Sequence, residues 1–257
     1  MNGSIWRRAN NVGRSIDSRI PERSDRQKEP VREVQERFYD LNDEELVAMR
    51  LVGSFRSIEA KDMPGRKFDR LVAMGLMERK SLVLQRPPAR SEVLILTPKG
   101  RDYLRSVEPA GTGQRYYAGL VKPAEVAHDL AIYPAYKREA DRIEKAGGKI
   151  KRVVLDYEFK SIAASRMNRT EGPELRDRRA EIAAELDLPI VKDRLALPDL
   201  RIEYEDAAGV EQHKDLEVVT RHYHGAHLAG KQQTGFRLVN TDGPRKAIED
   251  DHHVGWI

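Results

Sequence analysis

The chain has no cysteine among its 257 residues. That excludes disulfides, cysteine nucleophiles, iron–sulfur clusters and thiolate zinc sites within it. It also lacks any run of roughly 18 apolar residues, so no membrane span and no membrane partner are expected. Aromatic residues are scarce, at 6%, which argues against a glycosidase-like use of its carboxylates. A dominant charge is missing too: 46 Lys and Arg against 42 Asp and Glu leave a net +4. Nucleic acid responds to a patch and not to a total, so the distribution of charge carries more than its sum. The opening MNGSIWRRANNVGRSIDSRIPERSDRQKEP lacks the apolar core of a signal peptide, and a cytoplasmic protein is expected.

What is present suffices for two compact domains, since 39% of the residues are hydrophobic. Residues 1–30 read as a disordered basic arm, with seven Arg or Lys against four Asp or Glu and few apolar side chains. Residues 31–108 read as one small unit. VREVQERFYDLNDEELVAMRLVGSF has helical spacing, with Asn42 or Asp43 as a cap before its second helix. SIEAKDM reads as a short helix broken at Pro64-Gly65. RKFDRLVAMGLMERK is a further helix that Gly75 ends, after which Leu76 and Met77 return to the core. SLVLQRPPARSEVLIL gives two apolar strands around Arg86-Pro87-Pro88-Ala89-Arg90, and a helix starts at Thr97 or Pro98.

Helices, a two-stranded ribbon and a closing helix describe a winged helix-turn-helix. LVAMGLMERK and LILTPKGRDYL resemble segments of bacterial winged-helix proteins. From Arg66 to Arg90 there are seven basic residues and two acidic ones. Arg66, Lys67 and Arg70 fall on the expected recognition helix, and Arg86 and Arg90 on the wing. A helix in the major groove with a basic wing over the backbone needs that arrangement, so the expected partner is double-stranded DNA. A palindromic target would suit a homodimer.

Residues 109–122 form a linker, residues 123–240 a second domain and residues 241–257 a tail. AEVAHDLAIYPAYKREADRIEKAG is helical and ends at Gly147-Gly148. KIKRVVLDYEFK reads as a strand, followed by a charged helical insertion. LRIEYED and EQHKDLEVVT are two more strands around Ala207-Ala208-Gly209, and RHYHGAHLAGKQQTGFRLV gives a short helix and a strand. Asp199 opens one strand and Glu217 lies on the next. A hairpin of the right register brings such carboxylates together, where they can hold Mg²⁺ or Mn²⁺, ions that take hard oxygen ligands and activate water. Helix, strand, Pro-Asp strand and Glu-bearing strand follow the order of a restriction-endonuclease-like core, which makes the expected class α/β in the α+β sense.

The whole layout resembles the replication-relaxation family of plasmid and mobile-element proteins, which join a winged helix to a domain similar to PD-(D/E)xK nucleases. The matching pieces are the winged helix, Val126-Ala127-His128-Asp129-Leu130, Pro198-Asp199, Leu216-Glu217-Val218 and the later Lys231 with Phe236. The resemblance implies that His128 supports the site and that Asp199 and Glu217 are its metal carboxylates. It also implies that Glu158, on the first strand, is a further acidic ligand and that Lys231 reaches the pocket from the following helix. Replication or mobilisation proteins are then further partners. The sequence departs from the nuclease pattern at Glu217-Val218-Val219, where Glu-x-Lys is expected. Valine cannot orient water or counter developing charge.

Three functions follow. The first is a DNA-binding protein of a mobile element, acting in replication, mobilisation or its regulation, with a degenerate nuclease-like domain. The second is an active metal-dependent endonuclease or nickase. The third is a winged-helix regulator whose second domain senses or dimerises. Plainer uses stand beside each residue: Asp199 can shape a strand start, Glu217 can sit on a solvated face and His128 can cap or pack. His222, His224 and His227 cluster in a way that can bind Zn²⁺ or Ni²⁺, though their spacing fits no specific signature. Arg166, Arg169, Arg176, Arg178 and Arg179 offer a second phosphate-contacting surface or, with the acids among them, a helix laced with ion pairs.

Overall fold

The computed structural model describes residues 39–63, 68–85, 88–109, 111–120, 123–167, 174–219 and 232–240. Contacts divide the chain into two compact units, Met1–Asp40 and Leu41–Ile257. All the elements below belong to the second. The basic arm, the tail, Arg66, Lys67, Arg86, Lys231 and the histidines at 222, 224 and 227 lie outside the described residues.

Helix α1 (Asp43–Phe55) starts at Asn42, whose side chain accepts the Glu45 N–H at 2.9 Å, while the Glu45 carboxylate accepts the Asn42 N–H at 3.0 Å. This reciprocal box satisfies two N–H groups that the first turn leaves open. Strand β1 (Ile58–Glu59) and a 3-10 turn (Ala60–Asp62) replace the helix expected over SIEAKDM. The reason is long-range: Ile58 is fully buried and pairs with Leu94, a partner no local pattern announces. Helix α2 (Asp69–Ala73) ends as expected at Gly75, whose φ of +69° suits glycine. Strands β2 (Met77–Gln85) and β3 (Pro88–Leu96) form a long antiparallel hairpin, and the sheet order is β1-β3-β2.

Helix α3 (Pro98–Val107) is capped by Thr97, which accepts the Gly100 N–H at 3.0 Å, with Pro98 in the first turn, where its missing N–H costs nothing. A Cβ on Gly100 would lie 2.0 Å from the Leu76 carbonyl oxygen. Gly100→Ala is therefore expected to cost about 2 kcal/mol, read as a lowered midpoint in urea unfolding.

Helix α4 (Pro123–Lys145) is followed by β4 (Lys149–Leu155), α5 (Asp156–Met167) and α6 (Glu174–Leu186). The small hairpin β5 (Ile190–Val191) and β6 (Arg194–Leu195) precedes β7 (Leu200–Glu205), β8 (Glu211–Val219) and β9 (Arg237–Asn240). The main sheet runs β4-β7-β8-β9, antiparallel except for the parallel β8–β9 pair. Leu155, Leu200 and Leu216 form one row across it, and Val154, Arg201 and Asp215 form the next. Side chains in adjacent rows point to opposite faces. Val154 packs with Phe159, Leu188 and Phe236 on the α5 side. The class is α+β, with helices and several small sheets.

The strand expected over KIKRVVLDYEFK stops at Leu155, and DYEFK opens α5 instead. Phe159 and Ala163, four residues apart, are both buried, so helical spacing wins over the apparent alternation. Glu158 consequently stands in the first turn of a helix and not on a strand.

The segment expected as a linker is fastened on both sides. Tyr117 N–H donates to Gly53 O at 2.8 Å, and Gly119 N–H donates to Leu96 O at 2.9 Å. The Gln114 amide side chain accepts the Val153 N–H and donates to the Val153 carbonyl, at 2.9 and 3.1 Å. It thereby covers the open edge of β4 as a strand would. Apolar packing also crosses between the hairpin and α4, joining Val93 and Ile95 to Val126 and Leu130. The Phe55 ring meets Tyr136 on α4 at 4.8 Å between centroids.

Candidate functional site

The site forms along one row of the main sheet, where β4 ends, β7 begins and β8 continues to Val219. Leu155 pairs with Leu200 and Leu200 with Leu216, so Asp156, Asp199 and Glu217 are each one residue beyond the same row. The Asp156 N–H donates to the Asp199 carbonyl at 3.3 Å. Antiparallel register, continued one residue past Leu200 and Leu216, sets Asp199 across from Glu217. Glu217 is fully buried.

His128 reaches this row from α4. Its Nε2 lies 3.2 Å from Asp199 Oδ1, and the Val218 N–H donates to Asp199 Oδ2 at 2.8 Å. One carboxylate thus ties α4 to β8. The bond to Asp199 raises the His128 pKa above 6.5, against the opposing effect of burial, and the charges of Asp199, Asp129 and Asp156 add to the rise. The imidazolium beside Asp199 is thereby favoured.

Asp129, the next residue on α4, is almost as deeply buried as Glu217, at 1% exposure. Burial pushes its pKa up from 3.8 to about 6; Arg56 and His128 oppose the rise, while Asp156 and Glu125 reinforce it. Arg56 Nη1 lies 3.8 Å from Asp129 Oδ2, and Tyr157 Oη is 3.4 Å from Asp129 Oδ1 and 3.2 Å from the Glu125 carboxylate. Asp156 pairs with Lys160 one turn further along α5. Asp156, Asp129, Tyr157 and Arg56 were not singled out from the sequence. The pair His128-Asp129 was the one available signal, since it sits beside an apolar stripe of α4.

Glu158 stands apart from this row. It is buried between Arg152, at 2.8 Å, and Arg115, at 3.5 Å. Its charge is balanced by guanidinium groups, and Asp199 spends its carboxylate on His128 and a backbone N–H. Both carboxylates are thus engaged by groups of the protein itself, although Glu158 Oε2 is buried without a hydrogen bond among the described residues. Among the described residues no group of three His, Asp or Glu side chains is disposed to hold a metal.

On the helix–hairpin part, Arg70 lies on α2 and is half exposed, with Nη1 2.7 Å from the buried Glu45 carboxylate that also closes the α1 cap. Arg70 thus links α2 to α1. Arg90 is exposed on β3, opposite Val83, which at 69% exposure is a large apolar residue on open hairpin surface. Arg79 pairs with Asp69 and lies over the Phe68 ring at 4.8 Å. Of the arginines around the helical insertion, Arg166 pairs with Glu185, Arg178 with Glu181 at 2.7 Å and Arg179 with Asp193 at 3.1 Å. Those pairs favour the ion-laced surface over a second phosphate-binding face. No described helix is long and apolar enough to cross a membrane.

The chain matches no protein-family model, no curated protein and no solved structure.

Proposed function

We propose that the chain is a double-stranded DNA-binding protein of a plasmid or other mobile element, acting in replication, mobilisation or its regulation. Its helix–hairpin part is a winged helix, and its α4–β9 part is a nuclease-like scaffold that does not cut. The observation that carries the binding half is the order β1-β3-β2, with the short α2 placed directly before the long hairpin. In that order α2 precedes the hairpin as a recognition helix precedes a wing. Arg90 on the hairpin supplies a phosphate contact, and Arg66 and Lys67 precede α2 in the chain. The α4–β4–β7–β8–β9 order agrees with a restriction-endonuclease-like core. Val219 in place of lysine, together with the protein's own hold on Asp199, favours a retained scaffold over a working site.

Fluorescence anisotropy with duplex DNA across a salt series tests the reading. Binding is expected to weaken steeply with salt, by roughly tenfold per tenfold of salt for each phosphate contact. Arg66→Ala and Arg90→Ala are each expected to lower affinity. Arg70→Ala serves poorly as a binding test, because it also strips Glu45 of its partner. The same samples, run on gels with supercoiled DNA and Mg²⁺, Mn²⁺ or EDTA, are expected to show no nicking. Metal-dependent nicking abolished by Asp199→Ala and Glu217→Ala would replace this reading with the endonuclease. No duplex binding at low salt would overturn the DNA-binding reading itself.

A further inference from the structure

Arg56 follows α1 in a conformation that side chains seldom adopt. Its φ is +64° and its ψ −45°, and the Ser57 N–H donates to the Phe55 carbonyl at 2.7 Å across it. That closes a three-residue turn of the strained hand. Glycine would occupy it without cost to a Cβ, yet the position holds arginine.

The turn directs the guanidinium away from the helices that carry it. Its carbon lies 3.6 Å from the centroid of the Tyr157 ring on α5 and 5.9 Å from that of Tyr117 in the fastened segment. Nη1 faces Asp129 on α4 at 3.8 Å. The side chain is 15% exposed, and Nη1 and Asp129 Oδ2 are both buried without a hydrogen bond among the described residues. A planar cation laid against the Tyr157 ring in this way gains from the ring face in a manner lysine cannot reproduce. Asp129 is next to His128, which holds Asp199, and Tyr157 is next to Asp156, whose N–H holds the Asp199 carbonyl. One side chain from the helix–hairpin part therefore touches both neighbours of the Asp199 contacts.

We propose that Arg56 is a latch: a positioning residue through which the end of α1 sets the arrangement of His128, Asp199 and Asp156 in the α4–β9 part. The strain at Arg56 is the cost of aiming the latch, and the stack on Tyr157 with the Asp129 contact is what it secures. The proposal does not depend on DNA binding, because every contact in it is internal.

Hydrogen exchange by mass spectrometry on the full chain, with the His128 ring signal followed by NMR, tests it. Arg56→Gly and Arg56→Met are expected to raise exchange at least tenfold across residues 125–131 and 156–160 and to shift the His128 ring signal. Exchange in α1 and α3 is expected to stay within twofold, as local opening at the latch requires. Arg56→Lys is expected to give an intermediate effect. Tyr157→Leu removes the ring under the guanidinium with no change at the strained turn and is expected to loosen the same two segments, well beyond Tyr157→Phe, which keeps that ring and loses only the hydroxyl contacts to Asp129 and Glu125. It also decides the matter should the Arg56 variants fail to fold. A glycine variant that melts higher than the parent, with exchange in both segments and the His128 signal unchanged, would overturn the latch and leave Arg56 a turn residue alone. Unchanged exchange in the Tyr157→Leu variant would overturn it equally.

Discussion

Arg201→Met is expected to lower the unfolding free energy by roughly 4 kcal/mol. Arg201 lies on β7, opposite Asp215 on β8, and the two side chains are only 7% and 10% exposed. The guanidinium makes a two-pronged contact, with Nε and Nη2 at 2.7 and 2.8 Å from the two Asp215 oxygens. Its remaining donors go to the end of α6, Nη1 to Leu186 O at 2.6 Å and Nη2 to Asp187 O at 2.8 Å. Its plane sits 5.1 Å from the Phe159 ring centroid. Removing it strands a buried carboxylate and two carbonyls that α6 cannot satisfy itself. The loss comes mostly from what is left behind and not from the pair's own worth. The double variant Arg201→Met with Asp215→Leu is accordingly expected to recover much of the stability, but not all, because the two α6 carbonyls still lack their donor. Urea unfolding of the three proteins measures this. A loss below about 1 kcal/mol for the single variant, the range of exposed ion pairs, would show that water reaches Asp215 freely.

Much of the fold was legible where the signal is local. Asn42 or Asp43 before α1, Gly75 after α2, Thr97 or Pro98 before α3 and Gly147 after α4 each act within one turn of their own position, and the structure takes Asn42 and Thr97 as the caps. The hairpin that carries Asp199 and Glu217 was legible too, because Pro-Asp marks a strand start, but the register that sets them across from one another was not. What failed was set by partners far along the chain. Ile58 becomes a strand only because Leu94 is beside it. Asp156 starts a helix with its N–H satisfied by Asp199, some forty residues later, so the boundary at Leu155 left no mark that alternation could reveal. Arg56 was unreadable for a different reason: nothing in an arginine announces a positive φ, and glycine is the residue one expects there. The candidate site was therefore half visible. Its His128, Asp199 and Glu217 carry chemistry by residue type, whereas Asp129 and Tyr157 matter through burial and Arg56 through its backbone.

Asp129 gives the pH dependence of the fold a distinct shape. Its folded pKa of about 6 stands above the ordinary 3.8, chiefly because the carboxylate is taken from water and only partly because Asp156 and Glu125 repel it. The folded chain therefore keeps this proton where the unfolded chain has released it. A group raised in this way contributes stability that is complete below the unfolded pKa and is lost as pH climbs through the folded one. Subtracting the unfolding free energy of Asp129→Asn from that of the parent isolates the group, since the amide stays neutral throughout. The difference is expected to fall by roughly 2 to 3 kcal/mol between about pH 4 and pH 7. His128 titrates in the same sense, but its raised pKa places its loss above 6.5, so the lower part of the window belongs to Asp129. Urea midpoints at half-unit steps of pH measure the curve, and carboxyl NMR locates the proton directly. A flat difference would mean that the Arg56 guanidinium offsets the burial penalty in full and that Asp129 is ionised throughout. A sloping one means that the charge on this carboxylate is held against its surroundings, with the Tyr157 hydroxyl at 3.4 Å and the Arg56 cation at 3.8 Å limiting the cost.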